Sequence, residues 1–226
     1  MGYKGIEFRK FVQMHPMKYF APVLMLLLMA CGQGKKYHPQ GTELPDSPLL
    51  ADIIRFQQEL DESFRDPETS PLPDRFRKDF EGLDFFEADT TYVVKARFER
   101  TPEAKPFFMP TTTDRKTWEV VYGIAHFTLD GSQYQLEVYQ SLDLIDQEEF
   151  RDYLFLPFLD GTNGLETYGG GRYIDLSIPK GDTLIIDFNK AYNPYCVYDK
   201  KYSCPLVPRQ NYLRTEVRAG VKDFNP

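Results

Sequence analysis

Nowhere does the sequence carry an apolar run long enough to cross a bilayer. Its marked hydrophobic stretch, "YFAPVLMLLLMA" at residues 19–30, falls well short of the ~20 residues a membrane-spanning helix needs, and polar "GQGKKYHPQG" follows it. A permanent span is therefore not expected. Positive charge is also in deficit: 27 Lys and Arg face 34 Asp and Glu, a formal net charge of −7, which is poorly matched to phosphate backbones and sets nucleic acid aside as a partner. No GxSxG elbow, HExxH helix, P-loop or dinucleotide fingerprint occurs, so enzymes built on those nucleophiles, metals and nucleotides are disfavoured and no cofactor is expected. Cysteine is scarce, three in 226 residues, and the compartment they occupy decides their chemistry.

What is present begins with an export signal. Lys18 precedes the apolar run, small Ala30 ends it, and Cys31 follows, the pattern of a secretion signal. The order "LMAC" resembles the lipobox of bacterial lipoproteins, whose cysteine is lipidated and becomes the first mature residue. Residues 1–30 are accordingly expected to be a lipoprotein signal peptide and Cys31 the lipidation site, with an ordinary cleaved signal as the alternative. Met14 and Met17 offer starts nearer to Lys18. Removing Lys4, Arg9, Lys10, Lys18 and Glu7 takes away a net +3, so −7 becomes −10 for the mature chain. Membrane affinity would then come from acyl chains, at about 0.8 kcal/mol per buried methylene. The expected location is the cell envelope, lipid-anchored on the periplasmic side or at the outer membrane, with the membrane as a partner through Cys31.

Outside the cytoplasm the remaining thiols, Cys196 and Cys204 in "NPYCVYDKKYSCPLVP", are expected to join as a disulfide. Closing so short a loop stabilises a fold by roughly 2–3 kcal/mol in the chain-entropy model. Two other readings stay open. Zinc lacks further Cys or His ligands nearby and no metal site is expected; a reactive thiolate, aided by Lys200 and Lys201, is the third.

Residues 31–47 are polar and rich in Gly and Pro, a flexible tether, and 48–226 suit one domain without repeats or an internal linker. Ser47 and Pro48 form a helix start, a capping hydroxyl before a proline at the first helical position. Leu49, Ile53, Phe56, Leu60 and Phe64 recur at helical spacing, leaving Asp52, Arg55, Glu59 and Glu62 for solvent. "PDRFRKDFEGL" adds a short turn of helix ending at Gly82. From Asp89 onward the period becomes two. "TYVVKARF", "WEVVYGIAHFTL", "YQLEVYQ", "RYIDLSI", "TLIIDF" and "NYLRTEV" read as strands, separated by turn signals such as "LDGSQ" and "IPKGD". Many short strands without intervening helices predict a mainly β fold, an antiparallel β-sandwich or open barrel with the N-terminal helix packed on one side.

The segments "LFLPFLDGTNGLETYGGGRYIDL" and "DFNKAYNPYCVYDKKYSCPLVPRQNYL" carry a closer likeness. Pro157, Phe158, Asp160, Thr162, Gly164, Thr167, Tyr168, Gly169, Gly171, Arg172 and Tyr173, then Asp187, Phe188, Asn189, Tyr192, Asn193, Pro194, Cys196, Cys204, Pro205 and Asn211, resemble the pattern of a bacterial family of domains of unknown function, the one numbered 1684. The likeness spans roughly residues 49–223 and implies no activity. One departure is informative: the family usually ends "AGE" plus a basic residue, whereas this chain has "AGVK", so a carboxylate at Val221 is not indispensable here.

On physical grounds "DGTNGLETYGGGRY" is the expected binding corner. Glycines 169–171 allow consecutive N–H groups to point into one concavity that favours an anion, and Arg172 adds a planar fork for carboxylate or phosphate. The structural alternative is a tight turn entering a strand, with Arg172 buried in an ion pair to Asp160, Glu166 or Asp187. Asp160 and Glu166 are also candidates for an acid and base pair, and Asp160, Thr162 and Asn163 for a calcium loop that lacks the required alternation of ligands; turn hydrogen bonds are the plainer reading of all of these. His126, alone on a strand, reads as structural. Aromatics are 15% of the chain, and Tyr168, Tyr173, Tyr192, Tyr195, Tyr198 and Tyr202 crowd this region, fit either to line a ligand site or to seal a core edge. The expectation is a tethered β domain binding a small polar or anionic ligand at Asp160, Thr162, Glu166, Tyr168, Arg172 and Asn193. The alternatives are a cofactor-independent hydrolase using Asp160 and Glu166 or Cys196, and an envelope interaction protein without a pocket.

Overall fold

The computed structural model describes residues 44–224. The expected signal sequence, Cys31 and most of the tether lie outside the described residues. No described helix is long and apolar enough to cross a membrane.

Seven strands form one antiparallel sheet: β1 Val93–Arg100, β2 Phe107–Pro110, β3 Lys116–Leu129, β4 Ser132–Ser141, β5 Tyr153–Phe158, β6 Arg172–Ser177 and β7 Thr183–Asp187. Their order is β6-β5-β4-β3-β1-β7, with β2 paired to β3. The sheet curls into a half-barrel, and its edge strands β6 and β7 touch. Of the two expected architectures this is the open barrel. The β3–β4 hairpin turns at Asp130 and Gly131, both with positive φ (51° and 74°), and Leu129 pairs Ser132 across it. That is the two-residue hairpin turn whose backbone twist matches the strands, and "DG" is its sequence signal.

The concave face is filled at period two. Val94, Ala96 and Phe98 of β1, Ala125, Phe127 and Leu129 of β3, and Leu136 and Val138 of β4 belong to one buried cluster with Leu156, Phe158 and Ile174. Two strands have no counterpart in the sequence-based expectation. β5, "YLFLPF", is buried at five consecutive positions, so it lacks alternation, and β2 is four residues long. Conversely, the expected strand at 211–217 is a docked segment. Leu213 and Val217 are buried as alternation demands, but its backbone bonds to Leu159 and Gly161 amount to a single isolated parallel bridge, Leu159 with Tyr212, rather than a ladder.

The helix α1, Pro48–Arg65, starts with Pro48 in its first turn as expected, though Ser47 makes no side-chain cap bond. Its buried stripe is Ala51, Ile53, Gln57, Asp61 and Phe64, rotated from the one expected. Leu49 is exposed, while Phe56 and Leu60 are half-buried because they face a cavity. Asp61 Oδ1 accepts the Leu83 N–H at 2.8 Å, and Lys190 reaches Asp52 at 2.6 Å, fastening the helix at two levels. The short helix α2, Asp74–Arg77, ends well before Gly82.

One carboxylate in this framework opposes folding when charged. Glu119 of β3 is buried, its Oε2 has no partner among the described residues, and burial raises its pKa above the usual glutamate value. A folded pKa above the unfolded one means that the protonated acid favours the fold. Its contribution is therefore fully present below the unfolded value and is lost as pH rises through the folded one. The stability difference between wild type and Glu119→Gln in urea unfolding should move in the variant's favour as pH rises from 4 to 8. Parallel curves would contradict this.

Candidate functional site

The antiparallel β5–β6 pair sets Phe158 opposite Arg172, so the loop leaving β5 brings Asp160 beside the guanidinium. The expected anion corner is closed there. Arg172 is 0% exposed. Its Nη2 donates to Asp160 Oδ2 at 2.9 Å and to Val217 O at 2.8 Å, and its Nη1 to Ala219 O and to Val221 O. Nε has no partner, and the Phe158 ring centroid lies 5.3 Å from Cζ. Burial pulls the arginine pKa down while Asp160 opposes it. The C-terminal segment can wrap the guanidinium because Gly220 takes φ 77°, and a Cβ there would strike the Ala191 and Phe188 carbonyls. Among glycines 169–171 only Gly171 has positive φ, and its N–H closes a turn on Tyr168 O. The structural alternative, an ion pair to Asp160, is therefore the arrangement seen.

The carboxylates do not make an acid and base pair. Asp160 Oδ1 already accepts the N–H and hydroxyl of Thr162 and the N–H of Val217, at 2.6–3.1 Å. With Oδ2 on Arg172 it has no lone pair aimed at a substrate. Glu166 is exposed and held by Arg218 at 2.9 Å. Thr162 is buried on Asp160 and Thr167. His126 pairs with Glu99 across the β1–β3 ladder at 3.2 Å. The corner of Asp160, Thr162, Glu166 and Arg172 is thus a structural tie.

A site of another kind lies between α1 and the loop after β7. A cavity of about 570 Å³ is walled by Phe56, Leu60 and Phe64 of α1, by Phe150, by Tyr173 and Asp175 of β6, and by the segments 192–195 and 202–205. Alternation along β6 puts Arg172 and Ile174 on the core face and Tyr173 and Asp175 on this one. Asp175, solvent-exposed, is the cavity's negative charge. Its Oδ1 accepts the hydroxyls of Tyr153 and Tyr192, each at 2.7 Å, and no described group bonds Oδ2. Burial first, then Asp175, pushes the pKa of Tyr192 well above the usual tyrosine value, and the same causes raise Tyr195. These phenols stay neutral donors and rings. The cavity's cation, Lys190, is taken by Asp52 and lies against Phe56. Asn193 is 1% exposed; its Nδ2 donates to Lys222 O, while Oδ1 has no partner among the described residues. Of the expected ligand-binding residues, Asn193 alone lines this cavity, and Tyr173, Tyr192, Tyr195 and Tyr202 of the noted tyrosines join it. Asp175 was legible only through its i, i+2 relation to Tyr173.

One of the two cysteines, Cys204, lines the cavity. Both are free thiols, not the expected disulfide, yet they are close: the Cys196 N–H donates to Cys204 Sγ at 3.1 Å. Segment 203–206 docks on 110–112 through the Leu206 N–H to Pro110 O and Thr112 N–H to Cys204 O bonds, which fixes Cys204. Tyr168, half-buried, stands near enough to help lower the Cys196 thiol pKa.

A family model described as "Protein of unknown function (DUF1684)" matches residues 78–222. Among solved structures, the solution NMR structure of an uncharacterised protein of Haloarcula marismortui is similar at 33% sequence identity over 76% of this chain and 92% of that one, with a TM-score of 0.59. No curated protein matches the chain.

Proposed function

Because the chain belongs to the DUF1684 family, whose description names no activity, we propose its function from the cavity: it binds a small amphipathic cation, an amine or quaternary ammonium carrying an apolar group. The observation that carries this is the Asp175 carboxylate set among Tyr173, Tyr192, Tyr195 and Phe150 in a mostly apolar cavity. Aromatic faces attract a cation through their quadrupoles, and a carboxylate among them supplies the charge that fixes its position. The size suits a small molecule, and Asn193 Oδ1 offers an acceptor for an N–H donor. This replaces the anionic ligand expected at Arg172, whose guanidinium is fully buried and tied to Asp160 and the C-terminal carbonyls.

The reading extends to an exported, lipid-anchored domain, with residues 1–30 as signal peptide, Cys31 as the acylated residue and 31–47 as tether. What supports this is Lys18 before the apolar run and the order "LMAC".

Thermal shift and calorimetry with phenethyl-trimethylammonium and with the matching carboxylate, phenylpropionate, test the binding claim. The cation should bind and the anion should not, and Asp175→Asn should weaken the cation by at least about tenfold while leaving the melting temperature of the free protein close to wild type. Equal affinity for both probes, or an unaltered Kd in the variant, would refute the reading.

A further inference from the structure

We propose that Cys196 and Cys204 are a redox-active dithiol that exchanges with aliphatic disulfides, Cys196 as the attacking sulfur and Cys204 as the resolving one. Two geometric facts support it. The pair is within reach, since the Cys204 sulfur sits 3.1 Å from the Cys196 backbone nitrogen. The pair is asymmetric, Cys196 partly exposed and Cys204 buried, the division of labour that exchange requires. The Cys204 thiol and the Thr112 and Tyr168 side chains all favour the thiolate form of Cys196. Thr112 is held for this by the Cys204 N–H, which donates to its Oγ1 at 3.1 Å.

The electrostatics run the same way. The hydrogen bond from Cys204 leads in bringing the Cys196 thiol down to about 7, whereas Cys204 is pushed up by its hydrogen bond to Cys196 and by burial. A thiolate on Cys196 is thus available near neutral pH. No third His, Cys, Asp or Glu among the described residues joins the pair in a metal-sized cluster.

The exchange balances as follows. The Cys196 thiolate attacks one sulfur of a disulfide RS–SR, forming a mixed disulfide and releasing RS⁻, which takes a proton. Cys204 loses its proton and attacks the Cys196 sulfur, and the second RS⁻ leaves as RSH. The protein dithiol is oxidised by two electrons to a Cys196–Cys204 disulfide, and the substrate is reduced to two thiols.

The test uses the full chain with oxidised glutathione, read by peptide mass mapping; cleavage after Lys200 and Lys201 separates the two cysteines and distinguishes both from Cys31. Wild type should convert to the linked 196–204 peptide pair. Cys204→Ser should accumulate glutathione on Cys196 at least about tenfold faster than Cys196→Ser does on Cys204. Wild-type thiols that stay unlinked, or glutathione going preferentially to Cys204, would overturn the assignment. Should either variant unfold, the rate of linkage in wild type compared with that of Tyr168→Phe decides, since loss of the Tyr168 hydroxyl should slow attack and a merely adjacent pair would not respond.

Discussion

Arg172→Ala is expected to lose about 3–5 kcal/mol of folding stability, because it strands a buried carboxylate and several carbonyls at once. Asp160 is 2% exposed, and the carbonyls of Val217, Ala219 and Val221 lose their donor in the same step. Against a typical domain stability of about 5–15 kcal/mol, such a loss brings the protein near its unfolding threshold at room temperature. Arg172→Lys keeps the charge but replaces a planar fork by a single ammonium, so it cannot reach Asp160 and the C-terminal carbonyls together and should also destabilise. Asp160→Asn added to Arg172→Ala should cost less than the sum of the single changes, since it removes the stranded charge. Urea unfolding measures all four. An Arg172→Ala protein as stable as wild type would return Arg172 to the role of ligand group.

Phe64→Ala is expected to cost about 3–5 kcal/mol, the range for removing a large buried aromatic. Phe64 is 2% exposed and packs against Tyr198, Phe80 and Tyr195, with ring centroids 4.7, 5.7 and 6.5 Å away. It joins α1 to the loop after β7, and these are two walls of the cavity. The same substitution should therefore abolish the thermal shift produced by the cationic probe. A loss below about 1 kcal/mol would mean that α1 is held elsewhere.

How much was legible follows from which interactions are local. β4 could be read directly, because Tyr134, Leu136 and Val138 alternate with polar partners and its turn is written "DG". β5 could not: Leu154 to Phe158 are buried on both faces, and Pro157 reads against a strand. The helix was legible in extent but not in rotation, since Phe56 and Leu60 look like core residues and only the fold reveals a cavity in front of them. Arg172 had two readings of equal chemical sense. The choice rested on carbonyls 45–49 residues away, a distance over which a single sequence has no pattern. The tyrosine cluster was visible, yet Asp175 passed for an ordinary outward strand residue. The closeness of the thiols was anticipated, while the burial of Cys204 comes from the packing of 203–206 on 110–112.

The cation site is tested most directly by following backbone amide shifts of the ¹⁵N-labelled protein during titration with phenethyl-trimethylammonium. Saturable shifts concentrated at 173–175, 192–195 and 202–205 are the predicted result. Shifts centred on 160–172 and 216–222, or none at millimolar probe, would contradict it.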